Sequence, residues 1–202
     1  MNQSKIKTID GLKLYISPSV YEPAEDSFLL AEGAEIKENA KVLEVGSGSG
    51  YVTLYLAKRN STAEFFCTDI NHSASQTTLL NAKRNNVFVH VLTSNLLEAI
   101  STKPFFDIIL FNSPYLPTKP DNSRISLAWS GGNNGLGIVS IFLQQIKNVL
   151  KIDGTCYLIV SSLTNIKQLH ATLNQINLNY KVIDKIKEGR ETILLYELLF
   201  NQ

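Results

Sequence analysis

Short apolar, β-branched or aromatic runs recur along the chain at residues 41–45, 64–69, 87–92, 106–111, 155–161, 180–186 and 192–200. Each has the length of a strand buried on both faces. Between most of them lie stretches of helical length and period, at 51–59, 73–84, 137–150 and 165–176. This alternation predicts a mostly parallel sheet covered by helices on both sides. The last two runs are separated only by residues 187–191, which include Gly189 and are too few for a parallel crossover. They are expected to form an antiparallel hairpin. Ahead of the first strand, residues 23–36 read as a helix whose Glu25 and Asp26 favour its amino end. Asp10-Gly11 marks a further hairpin near the amino terminus. Residues 117–135, with two prolines and three glycines, read as a long loop at the carboxyl edge of the fourth strand, where open α/β sheets bind ligands.

Composition narrows the class. The 202 residues are 44% hydrophobic, which suits one domain over 1–202 that buries about 70% of its unfolded surface without a disulfide or metal staple. Nineteen basic and 18 acidic side chains leave a net charge of +1, which argues against a protein that grips duplex nucleic acid through many phosphates. The lysines of 181–190 alternate with apolar and acidic residues and read as a solvated strand face. The amino terminus lacks the apolar core of a secretion signal, and no run approaches the roughly 20 residues of a membrane span, so a cytoplasmic location is expected. Cys67 and Cys156 lie in strand runs and read as small buried hydrophobes. His72, His90 and His170 lack metal-ligand spacing, and no metal is expected.

The first strand runs into Glu44-Val45-Gly46-Ser47-Gly48-Ser49-Gly50, with a helical pattern directly after. Alternate glycines let the backbone turn sharply and approach a ligand where a Cβ would collide. A dinucleotide turn is GxGxxG with a pyrophosphate on the helix amino end. Here the spacing is GxGxG behind an acidic residue, which suits a ligand without phosphate and with a cationic sulfonium, S-adenosylmethionine. Asp69 closes the second strand, where a carboxylate can accept both ribose hydroxyls. Asn95, after the third strand, is placed to meet the adenine amino group or to end the strand, with Leu96 beside it.

The fourth strand ends in Asn112-Ser113-Pro114-Tyr115. A planar amino group is a poor nucleophile because its nitrogen lone pair is delocalised. An enzyme that alkylates one must accept both N–H bonds and aim the nitrogen at the methyl carbon. The Asn112 side-chain oxygen and the Ser113 carbonyl supply two acceptors, Pro114 stiffens the turn, and the Tyr115 ring packs against the flat group. Positioning and preorganised dipoles then replace a strong base.

Taken together, the segments 20–27, 43–50, 67–71, 112–115 and 129–135 resemble successive motifs of the HemK family, most closely its short eukaryotic and archaeal branch. The likeness spans residues 14–199. It implies a Rossmann-like seven-stranded S-adenosylmethionine-dependent methyltransferase fold with a C-terminal antiparallel hairpin, in which residues 1–40 form an extension and helix over the cofactor site. It implies methyl transfer to the glutamine amide of the GGQ motif in a translation release factor, with S-adenosylhomocysteine as product. By this resemblance Ser27, Glu44, Gly46, Gly48, Gly50, Asp69, Asn95, Leu96 and Asn112 hold the cofactor. Residues Asn112, Ser113, Pro114 and Tyr115 form the amide clamp. Ser113 departs from the family's usual Pro and Asn95 from its commoner Asp. Trp129 to Gly135 orders the long loop over the site. The branch also implies a small zinc-binding activator subunit that shields an apolar patch and extends the sheet.

A DNA adenine methyltransferase uses the same amino-group chemistry, but it must also flip a base and hold a duplex. A non-catalytic S-adenosylmethionine-binding subunit is the other alternative, and it would be marked by loss of the clamp residues, which are present.

Overall fold

A computed structural model describes residues 4–116, 132 and 135–201. The chain opens on a hairpin of β1 (Lys5–Ile9) and β2 (Leu12–Ile16), joined by Asp10 and Gly11 at φ 48° and 78°. Two successive left-handed residues are what the tightest hairpin turn requires. There follow α1 (Glu25–Gly33), β3 (Lys41–Val45), α2 (Tyr51–Arg59), β4 (Glu64–Asp69), α3 (His72–Arg84), β5 (His90–Thr93), β6 (Phe106–Asn112), α4 (Gly137–Ile146), β7 (Leu150–Ser161), α5 (Ile166–Gln175), β8 (Leu178–Glu188) and β9 (Glu191–Phe200).

Seven strands form one sheet in the order β5-β4-β3-β6-β7-β9-β8. The first five are parallel, while β9 runs antiparallel between β7 and β8. Adjacent residues of the central strands serve opposite faces. Val42, Ile108 and Leu110 pack with α1, α2 and the amino-terminal hairpin, whereas Leu43, Ile109 and Phe111 pack with α4 and α5. That two-sided burial is why these strands appear as continuous apolar runs. Both cysteines are free and buried. Among the described residues no helix is long and apolar enough to cross a membrane.

Several boundaries differ from the sequence expectation, and those of α1, of α4 with β7, and of β5 have a local cause. Helix α1 starts after Ala24 and stops at Gly33, where Ala34 turns extended. Helix α4 ends at Ile146, and Leu150 already pairs with Phe106 as the start of β7, four residues before a close approach of Gly154 to the Asp107 carbonyl. Strand β5 begins at His90 because Asn86 is left-handed and the Val87 N–H donates to Ala82 to close α3.

The amino-terminal hairpin is fastened to α3 by two asparagines one turn apart. Asn81 accepts from the Tyr15 N–H (2.8 Å) and donates to the carbonyls of Tyr15 and Ser49 (2.9 Å each). Asn85 repeats the pattern on Lys13. Side-chain amides here imitate a neighbouring strand, which carries the segment after β2 across the carboxyl ends of the sheet.

Candidate active site

Chain order reverses between β3 and β6, and ligands of open α/β sheets bind at the carboxyl ends of such a pair. Val45 of β3 is in register with Phe111 of β6 and with Thr68 of β4. The next residues are Gly46, Asn112 and Asp69, so register alone brings the glycine turn, the clamp and the acid to one level. Asp69 in turn pairs with Thr93, which brings Asn95 to the same edge.

A cleft of about 300 Å³ opens there. Its walls include Ser27, Glu44, Gly46, Gly48, Asp69, Asn95, Leu96, Asn112 and Pro114 from the sequence-derived set, with Ser19, Val20, Tyr21, Pro23 and Asp26 from the segment after β2 and the start of α1. Gly50, Ser113 and Tyr115 do not line it. Gly50 is instead the N-cap of α2, left-handed at φ 82° and pressed against Thr78, so its glycine is required by the turn. The Ser113 hydroxyl donates to the Ile159 carbonyl (2.6 Å), which leaves the backbone carbonyl as the group this residue can offer. Most of the 129–135 segment, Trp129 included, lies outside the described residues. Gly132 lines the cleft, and Gly135 packs against the Tyr115 carbonyl and Thr164 too closely for a Cβ.

Gly50 has no side chain with which to cap α2. The orphan N–H of Thr53 donates instead to Glu44 (3.0 Å), as does the Thr53 hydroxyl, which itself accepts from Cys67 Sγ. Burial pushes the Glu44 carboxyl up to about 8, against the downward pull of Thr53. Between its ordinary value and about 8, the folded chain holds a proton on Glu44 that the unfolded chain releases. The stability this supplies is complete below the ordinary value and is lost as pH rises through about 8. The expected slope is up to about 1.4 kcal/mol per pH unit. Urea unfolding from pH 5 to 8 checks it: Glu44→Gln, permanently neutral, should lack this decline, and parallel profiles for the two proteins would contradict it.

Asp69 accepts from the backbone N–H groups of Gly48 (2.9 Å) and Asn71 (2.8 Å). Burial raises its carboxyl, and these two donors pull it back. The carboxylate therefore fixes the glycine turn as well as facing the cleft. Asn95 donates to Glu98 (2.7 Å) at the exposed rim.

At the other end, Asn112 Nδ2 donates to Ser27 Oγ (3.4 Å), while Asn112 Oδ1 is buried without a partner. A buried acceptor left unpaired is destabilising by about 1–3 kcal/mol, a cost that a ligand's donor would relieve; Thr68 Oγ1, of the same cleft lining, is buried unpaired as well. Sequence reasoning missed Asp26 and Tyr21 here. The Tyr21 and Tyr115 phenols both donate to Asp26 (3.1 Å), and burial together with that carboxylate pushes both phenols well above their ordinary values. Tyr21 and Asp26 both lie in the 20–27 segment that carries the family resemblance, but taken by itself Asp26 reads as an acid in a first helical turn, which a helix dipole already explains.

The cleft suits S-adenosylmethionine. Its described lining contains no Lys, Arg or His to meet a phosphate, and it does contain the carboxyls of Asp26, Glu44 and Asp69, beside glycines that leave the backbone open.

Residues 24–188 match the family described as Methyltransferase small domain. A Methanocaldococcus jannaschii protein named as a protein N5-glutamine methyltransferase is 36% identical over 190 residues, which is 93% of this chain and 95% of that protein. The eRF1 methyltransferase catalytic subunit mtq2 of Schizosaccharomyces pombe is 31% identical across 93% of this chain and 92% of its own length. Among solved structures, a chain of the E. cuniculi Mtq2–Trm112 complex, described as responsible for methylation of the eRF1 translation termination factor, superposes with a TM-score of 0.72 at 25% identity. The match covers 91% of this chain and 99% of that one. This protein belongs to the methyltransferase small domain family, in its HemK branch of protein N5-glutamine methyltransferases.

Proposed function

We propose that this enzyme transfers the methyl group of S-adenosylmethionine to the side-chain amide nitrogen of the GGQ glutamine in a translation release factor, leaving S-adenosylhomocysteine and using no metal. The observation that carries the reading is Asn112 in the cleft lining, with its Oδ1 buried and unpartnered. Bound there, the cofactor would be held by Ser27, the Gly46–Gly48 turn, Asp69, Asn95 and Leu96, and it supplies an electrophilic methyl on a sulfonium. Asn112 Oδ1 accepts one N–H of the substrate amide and the Ser113 carbonyl accepts the other. Pro114 limits the motion of that carbonyl, and Tyr115 flanks the amide plane. Holding both N–H bonds in acceptors aims the nitrogen and draws density onto it; as the N–C bond would form and the sulfonium S–C bond break, one N–H proton becomes acidic and leaves to water. Of the 1–40 extension and helix, residues within 19–27 line the cleft, and the described part of that segment serves as the cover of this site. Labelled cofactor incubated with a release factor should mark the intact GGQ protein and not a version with its glutamine replaced; equal labelling of both would refute the assignment.

The sheet edges support an activator subunit of the kind implied by the family resemblance. Strand β8 guards its edge with Lys181, Lys185 and Lys187 and an irregular register near Val182. Strand β5, at the opposite edge, is flanked and occupied by exposed apolar groups, Phe88 at 78% and Leu92 at 46%. A small zinc-binding partner that adds a strand to β5 would cover them. The isolated chain is accordingly expected to be poorly soluble or weakly active, and coexpression with the partner to restore it. High yield and full turnover of the chain alone would contradict this.

A further inference from the structure

An asparagine amide can present either its oxygen or its NH2 to a cleft, and only the oxygen can receive a substrate N–H. We propose that Asp26 is a positioning residue that fixes this choice at Asn112, acting through Ser27; the inference rests on the amide-methylation reading above. Asp26 is 4% exposed. Its carboxylate accepts from the Ser27 N–H (2.6 Å), the Ser27 hydroxyl (3.2 Å) and the phenols of Tyr21 and Tyr115. A carboxylate has no proton to give, so each partner must donate. Ser27 owns a single hydroxyl proton, and the charge-assisted bond to Asp26 claims it. The Ser27 oxygen can then only accept, and the Asn112 group facing it must be the NH2. The Asn112 oxygen is thereby turned away from Ser27 and left as the buried atom without a partner. Without Asp26 the Ser27 proton is free to point at Asn112. The amide can then flip, and its NH2 would meet the substrate's N–H bonds donor against donor. The bond from Tyr115 gives the same carboxylate a second hold on the 112–115 turn, so one buried acid sets both the orientation and the seat of the clamp.

The test uses Asp26→Ala, Asp26→Asn and Ser27→Ala in the full chain, with its partner subunit if the wild type requires one. Thermal unfolding, calorimetric S-adenosylmethionine affinity, single-turnover transfer and the Asn112 side-chain NH2 signals in ¹⁵N spectra are measured on the same preparations. Asn112→Ala identifies those signals by their loss. For Asp26→Ala, loss of a cleft carboxyl should weaken cofactor binding by no more than about threefold to tenfold, while transfer at saturating cofactor falls about 30–100-fold. The Asn112 NH2 signals should shift and exchange faster with water. Asp26→Asn still offers an oxygen to Ser27 and should recover most of the transfer. Unchanged NH2 signals in folded Asp26→Ala would overturn the proposal. So would a cofactor-affinity loss that accounts for the whole transfer defect. Should Asp26→Ala not fold, Ser27→Ala breaks the same relay, and unchanged NH2 signals there would be equally decisive. The NH2 signals are read without substrate, so an error in the release-factor assignment would appear as absent wild-type transfer and leave this result standing.

Discussion

Asn112→Ala is expected to lower methyl transfer by about 10²–10³ while leaving cofactor affinity nearly unchanged, the magnitude typical of deleting one preorganised polar partner from a reacting group. The separation follows from geometry. Asn112 contributes one wall of the cleft, whereas the glycine turn and Asp69 form another, and their mutual bonds do not pass through Asn112. No base in the cleft can compensate, because the early step needs the amide aimed and not deprotonated. Asn112→Asp sharpens the point. It keeps an acceptor oxygen and turns the NH2 into a second one, but sets a negative charge beside the bound sulfonium, so binding should tighten while transfer slows, since the ground state gains more than the transition state. Calorimetry and single-turnover methylation on the same samples check both variants, and near-wild-type transfer by Asn112→Ala would remove the clamp from the mechanism.

Asp69→Ala should produce the opposite pattern, a loss in binding with the clamp intact. Hydrogen bonds to a charged acceptor contribute about 1.5–3 kcal/mol, which corresponds to roughly ten- to a hundredfold in cofactor affinity. The structure adds a second reason for the loss. The same carboxylate accepts from Gly48 and Asn71, so its removal strips an anchor from the glycine turn in addition to the ribose acceptor. Asp69→Asn has one acceptor oxygen for work now shared between two and should fall between wild type and Ala. An unchanged dissociation constant for Asp69→Ala would take this residue out of the site.

The architecture was legible because two-sided burial writes itself as contiguous apolar runs, and because Asp10-Gly11 has the residues its turn demands. The start of β7 was hidden. Leu150 falls at helical spacing from Ile146, and only its pairing with Phe106, far away in sequence, makes it a strand residue. Val87 to Val89 have strand composition, yet a local hydrogen bond to Ala82 spends the first of them on ending α3. At the site, Gly46, Gly48, Asp69, Asn112 and Pro114 reach one cleft because each stands at or just past a strand end, a position that chain order alone already marks. Gly50 stands beside the cleft lining and caps α2 at a positive φ, a duty that its place in the glycine spacing does not reveal. Asp26 was illegible for the opposite reason. Its meaning depends on Tyr115, 89 residues away, and a carboxylate that collects phenols looks in sequence like any acid at a helix start.

Tandem mass spectrometry of a release factor after incubation with this enzyme and S-adenosylmethionine tests the central claim most directly, because it locates the transferred methyl on an atom. The account predicts one methyl on the side-chain amide nitrogen of the GGQ glutamine, present with the wild-type enzyme and absent with Asn112→Ala. A methyl found on a lysine or a main-chain atom of that factor, or the same modified glutamine produced by Asn112→Ala at the wild-type rate, would contradict it.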